Sequence, residues 1–211
     1  MIKITAKGLA KFMTAGESRK RSILRNFKFP DPEGYAQANY YNEARTAIDR
    51  FACGQLSMAD LFARAEELRD GARASCGVTS ARLRNNARAV SQFARNFPRF
   101  ACVALGDVKL SISVAGVRVS SAPDLHANVK GRESLIRFDL SGQPAHVLVP
   151  SIVCQLMADA ASVRGLGVDP KDCLYIEVAK GIIHRRARPR ARISKDIDAA
   201  CKNIAAIWPT V

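Results

Sequence analysis

The apolar residues of this chain keep a helical period up to about Phe100 and mix alternating with helical periods beyond it, which limits the chain to a fold with a helical first part and a mixed second part. After Asp31-Pro32, an N-cap followed by proline at the first helical position, Ala36, Tyr40, Ala44, Ala47, Ile48 and Phe51 recur at helical spacing until Gly54. Ser57 with Asp60 starts a second helix, which carries Leu61, Ala65, Leu68 and Ala72 on one face. Thr79 or Ser80 starts a third over 79–97, where Leu83, Ala87, Val90, Ala94 and Phe97 form the stripe and Pro98 ends it. Two shorter helices before Pro30 complete the expected N-terminal helical bundle.

Beyond Phe100 strict alternation takes over. Val108, Leu110, Ile112 and Val114 alternate with Lys109, Ser111 and Ser113, and Ala115-Gly116 leads into a second alternating run over 117–121, the pattern of a hairpin. Strands are also expected at 135–140 and 173–178, a helix over 150–165, and a last helix over 194–208 with Ile197, Cys201, Ile204 and Trp208 facing inward. The fold class expected is therefore α+β: the bundle, then an α-β-β-β-α-β succession, then a C-terminal helix. The expected division is a helical region over 1–78 and an αβ domain over 79–211.

Charge narrows the partners. The chain has 33 basic against 19 acidic residues, a net +14, which points to a polyanion. Within 184–192, Arg186, Arg188, Arg190 and Arg192 would share one face at intervals of about 6.6 Å if extended, a spacing suited to a phosphate backbone. A positive edge that resists aggregation is the alternative. Arg19, Lys20, Arg21, Arg25 and Lys28 surround Phe27 and Phe29, a mixture that can hold a single strand by phosphate pairing and base stacking. The same aromatics are equally suited to a core with Ile23 and Leu24. Lys3, Lys7 and Lys11 fall on one helical stripe, and Arg84, Arg88 and Arg95 line the polar side of the third helix.

Other chemistries receive less support. The cysteines form no CxxC pair, so neither zinc nor an iron-sulfur clip is signalled, and most are expected to be small buried hydrophobes. His126, His146 and His184 have no sequence neighbours that make a catalytic set. The most apolar stretch, 147–158, is interrupted by Pro150, Ser151 and Gln155 and is shorter than the ~20 residues of a membrane span. No apolar leader follows Met1, and a cytoplasmic protein is expected.

Pro123-Asp124-Leu125, a mostly polar stretch, and then Ile136-Arg137-Phe138-Asp139 resemble the active-site strand pair of PD-(D/E)XK nucleases of the RecB type. Those enzymes carry an Asp on one strand and an acid-x-Lys on the next. Here the second half reads Arg137-x-Asp139. The resemblance covers roughly 79–211 and implies a restriction-endonuclease-like αβββαβ core. Gln155 adds to it, although the tyrosine expected one helical turn later is Asp159. If active, the site would use Asp124 and Asp139 as ligands of Mg²⁺ or Mn²⁺, with Arg137 and Gln155 beside them. With Arg137 in a ligand position, its permanent charge repels the ion. The leading expectation is thus a bacterial or phage-type nucleic-acid-binding protein that takes DNA ahead of RNA, through a nuclease-like domain without its metal chemistry. A Mg²⁺- or Mn²⁺-dependent nuclease is the first alternative, and an interaction subunit docking an acidic protein is the second.

Overall fold

The computed structural model describes residues 1–30, 39–185 and 190–211, with side chains in the last stretch from 192 on. Over these residues the chain is a mixed α/β protein with seven α-helices and two mixed sheets. The expected cap at Asp31-Pro32 lies outside the described residues, as do Ala36, Arg186 and Arg188.

The first element corrects the all-helical reading of the N-terminus. Ile2–Thr5 is a strand, β1, so Lys3 is not part of a helical stripe with Lys7 and Lys11. Thr5 ends the strand and caps helix α1 (Ala6–Met13), its hydroxyl accepting from the Gly8 amide at 3.1 Å. Helix α2 (Glu17–Lys28) crosses α1 so closely that a Cβ on Gly8 would stand 2.4 Å from the Phe27 ring.

Three helices follow: α3 (Asn42–Ala52), α4 (Met58–Arg73) and α5 (Gly77–Asn96). Ser57 and Asp60 form the reciprocal capping box expected at the start of α4. The apolar residues Ala44, Ile48, Leu61, Ala65, Leu68, Ala87 and Val90 of the expected stripes are all buried in one cluster, whereas Tyr40 lies in a turn before α3 and not in the helix expected there. Asn86 ties α5 to the start of α3, accepting from the Ala44 amide at 2.9 Å and donating to the Tyr40 carbonyl at 2.6 Å. Phe93 is the centre of an aromatic cluster, with Phe97, Phe138, Phe100 and Phe51 rings 5.2, 5.8, 5.9 and 6.2 Å away.

The strands are β2 (Val103–Ala104), β3 (Ser111–Val114), β4 (Val117–Ser120), β5 (Leu125–Val129), β6 (Arg132–Asp139), β7 (Cys173–Glu177) and β8 (Ile182–His184). The expected hairpin forms as β3 and β4 around Ala115 and Gly116, both at positive φ. However, it does not supply the first two strands of the main sheet. Ile4 is buried with Val117 and Val119, and β1 pairs in parallel with β4, which makes a separate sheet in the order β1-β4-β3. The main sheet has the order β2-β5-β6-β7-β8, with β6 and β7 parallel and every other neighbour antiparallel. Strand β5 escaped the sequence reading because Leu125, Ala127 and Val129 alternate with His126 and Asn128 over five residues only. Its turn into β6 places Lys130 and Gly131 at φ values of 53° and 82°, as a tight two-residue hairpin requires.

Helix α6 (Val149–Val163) connects β6 to β7 and packs on β7, β3 and α1. Ile152, Val153, Leu156, Met157 and Ala160 are all buried in it. Helix α7 (Arg190–Ile207) starts earlier than expected and turns Ile197, Cys201 and Ile204 inward, while Trp208 beyond it is half-buried. Odd-numbered Leu135 of β6 meets this side, with Cys173 and Tyr175 of β7. Even-numbered Ile136 and Phe138, with Leu174 and Ile176, meet α3, α4 and α5. Cys154, Cys173 and Cys201 are buried as expected, but Cys53 and Cys102 are half-buried and Cys76 is exposed.

Candidate functional site

The reversed pair lies on the α6 side of the sheet, and each of its acids already has cationic neighbours. Asp124 sits at the entry to β5, its amide donating to the Ile136 carbonyl at 2.8 Å. Its Oδ2 accepts from the Phe138 amide at 2.8 Å, and its Oδ1 accepts from Arg137 Nη1 at 3.1 Å. Arg45 of α3 brings its Nε to 2.8 Å from the same Oδ1. Arg137 also donates to the Ala122 carbonyl at 3.2 Å, which fixes the loop before β5. Behind this arginine clamp stands Asp49, whose pKa is raised to about 7 by burial and then by the Asp124 charge, with Arg45 opposing.

Asp139 is bound differently. Its Oδ1 accepts from Lys7 Nζ at 2.8 Å and from the Ser141 hydroxyl and amide at 2.7 and 3.1 Å; its Oδ2 accepts from the Tyr175 hydroxyl at 2.6 Å. Burial works against its charge, but Lys7, Tyr175 and Ser141 outweigh it and hold the pKa at about 2. The Tyr175 phenol is driven well above its ordinary range by burial and then by the Asp139 charge. The reversed motif therefore makes two separate ionic locks instead of one shared carboxylate site.

A Mg²⁺ or Mn²⁺ ion needs carboxylate oxygens free to face it. Those of Asp124 and Asp139 are turned to cations and hydrogen-bond donors, and the donor set does not fit the ion. Among the described residues no group of three or more His, Cys, Asp or Glu is placed to hold a metal. Gln155 is buried in α6 and donates to Asp159 at 2.8 Å; it makes no hydrogen bond to Asp124, Arg137 or Asp139 among the described residues.

Glu177 and Lys180 are paired at 2.9 Å. Strand β7 ends at Glu177, and the turn through Gly181 brings Lys180 back over it. His184 adds a contact to the same carboxylate at 2.7 Å, and His126 meets Glu133 at 2.8 Å, so neither histidine is isolated in the fold.

The basic residues divide by location. On α2, Arg19, Arg21 and Arg25 are exposed, whereas Lys20 pairs with Glu17 and lies over the Phe12 ring. Lys28 donates to the Trp208 and Val211 carbonyls and so joins α2 to the C-terminal turn. Phe27 packs against the core while Phe29 is exposed, which separates the two aromatics expected to act together. Arg84 and Arg88 are exposed on α5, with the Arg88 guanidinium against Gly142. The extended backbone expected at Arg190 and Arg192 is not found, because both fall in α7. Arg192 is exposed there.

Beside the Asp139 lock, α1, the start of α2 and the 141–148 loop enclose a cleft of about 610 Å³. Lys7, Lys11 and Arg19 line one side and His146 the other. Partial burial and then the Lys7 charge lower the Lys11 pKa. Sequence reading noted Lys7 and Lys11 as a stripe but missed Arg45, Tyr175 and the Lys7–Asp139 pair, whose partners are 132 residues apart. No local pattern signals a contact of that span. Among the described residues no helix is long and apolar enough to cross a membrane. No protein-family model matches the chain, and no curated protein matches it either.

Proposed function

We propose that this chain is a nucleic-acid-binding protein in which a nuclease-like α/β scaffold has turned its metal-ligand acids into internal ion pairs. The observation that carries the reading is the double lock: Arg45 and Arg137 on Asp124, and Lys7 on Asp139. The succession of α5, antiparallel β2, β5 and β6, then α6 and a β7 parallel to β6, supports the scaffold part of the reading. The charge of +14 and the exposed Arg19, Arg21, Arg25, Arg84, Arg88 and Arg192 support the binding part. Such residues contact phosphates without reading bases, so they supply affinity more than sequence preference.

The test is incubation of the purified chain with labelled single- and double-stranded DNA and RNA, in EDTA and in Mg²⁺ or Mn²⁺, with retention and cleavage scored on the same samples. The expected result is retention without cleavage, weakening by roughly tenfold to a hundredfold between 50 and 200 mM salt. Metal-dependent cleavage that disappears in Asp124→Ala would replace this reading with an active nuclease. Absence of retention at low salt would remove nucleic acid as the partner.

A further inference from the structure

We infer that the cleft between α1, the start of α2 and the 141–148 loop seats one nucleotide unit of a single strand, its phosphate toward Lys11 and Arg19 and its base against Pro144, Ala145 and His146. This deepens the nucleic-acid reading and rests on it.

The two walls of the cleft differ in kind. On the α1 and α2 side stand Lys7, Lys11 and Arg19. Lys7 is spent on Asp139, whereas Lys11 and Arg19 make no ion pair with a described residue. Asp139 is the single acid of the lining, and its oxygens already accept from Lys7, Ser141 and Tyr175. The lining thus keeps two uncompensated cations. Burial first, and then the neighbouring Lys7 charge, disfavour the Lys11 cation, and an anion at this wall offsets both.

The opposite wall suits a base. Pro144, Ala145 and Val149 are apolar, the His146 imidazole offers a flat face, and the Gln143 amide has both a donor and acceptor for a base edge. About 610 Å³ is the size of a small-molecule site. A duplex presents phosphates to such a cleft but keeps its bases stacked and paired inside, out of reach of the second wall. A single strand can present both at once.

The experiment measures equilibrium binding of a short labelled oligothymidylate, an abasic strand of the same length and a blunt duplex. Wild-type protein should bind oligothymidylate about tenfold more tightly than the abasic strand, a stacking effect of the size seen on aromatic platforms. His146→Ala should erase that difference while leaving the salt dependence as it was. Lys11→Glu with Arg19→Glu should weaken binding at least about tenfold more than Arg95→Glu with Arg99→Glu, which changes net charge equally at exposed positions outside the cleft. Equal losses in the two double variants, or equal binding of abasic and normal strands, would overturn the cleft as the seat while leaving nucleic-acid binding intact. Tighter binding of the duplex than of the single strand would overturn it too. Failure of wild-type protein to bind any of the three would instead remove the underlying reading and this inference with it.

Discussion

The two faces of the main sheet share apolar burial but differ in the polar pairs they hold. Toward α3, α4 and α5 the sheet presents Ile136, Phe138, Leu174 and Ile176 to helical stripes and to the Phe93 cluster. Toward α1 and α6 the neighbouring positions along β6 and β7 are Arg137, Asp139, Tyr175 and Glu177, and each side chain is bound to a named polar partner. The first face holds through non-directional burial, to which each residue adds separately. The second also buries Leu135 and Cys173 against α6, and adds directional pairs in which losing one member leaves the other buried and unpaired. Both sides of the sheet thus carry an apolar core, and the side with the Asp139 pair borders the cleft.

The largest test of this contrast is Phe93→Ala. Deleting the centre of the aromatic cluster should cost about 3–5 kcal/mol in denaturant unfolding, and the loss should not vary between pH 4 and 8.

Next is Lys7→Met, which removes the cation from Asp139. With Lys7 partly exposed, the cost should be about 2 kcal/mol at neutral pH. The pH dependence gives the sharper readout. Asp139 is held at about 2 in the folded chain, below the unfolded carboxylate value of about 3.9. Its contribution is therefore complete above roughly pH 5 and is lost as pH falls through the folded value. Unfolding measured from pH 7 to pH 2 should show a shallower acid limb in Lys7→Met than in the wild type. Equal acid limbs would mean that the pair does not hold the carboxylate down.

Asp49 predicts the opposite slope. Its folded pKa of about 7 lies above the unfolded value, so its contribution is complete below about pH 4 and is lost as pH rises through 7. Asp49→Asn should flatten that decline and make the chain more stable than wild type at pH 8, by on the order of 1 kcal/mol. A decline that persists in the variant would place its origin in another group.

The smallest effect belongs to Ser57→Ala, which removes the side-chain half of the capping box on α4. A loss of about 1 kcal/mol or less is expected by thermal unfolding near neutral pH, and it should shrink in acid, because the Ser57 hydroxyl holds the Asp60 carboxyl below its ordinary range.

Features generated within a few residues were legible in the sequence. The stripes of α3, α4 and α5, the Ser57–Asp60 box and the Ala115-Gly116 turn need only a local period or one short-range hydrogen bond. The candidate site residues were legible by kind but not by partner. Asp124, Arg137 and Asp139 stood out for their spacing, yet the spacing suggested a shared site, whereas Arg45 and Lys7 arrive from other elements and divide it. β1 was missed because four residues with one buried position carry too little pattern to be told from a helix start.

By itself the sequence determined the helical periods, the hairpin, the excess of positive charge and the presence of an acid and a cation two residues apart on one strand. Each of these follows from local geometry or from counting. The tertiary structure decided which sheet the hairpin joined and which cation each acid received, because both depend on segments more than a hundred residues apart meeting in space. A carboxylate has the same letter whether it awaits a metal ion or is neutralised by a lysine, and burial with that partner selects between them.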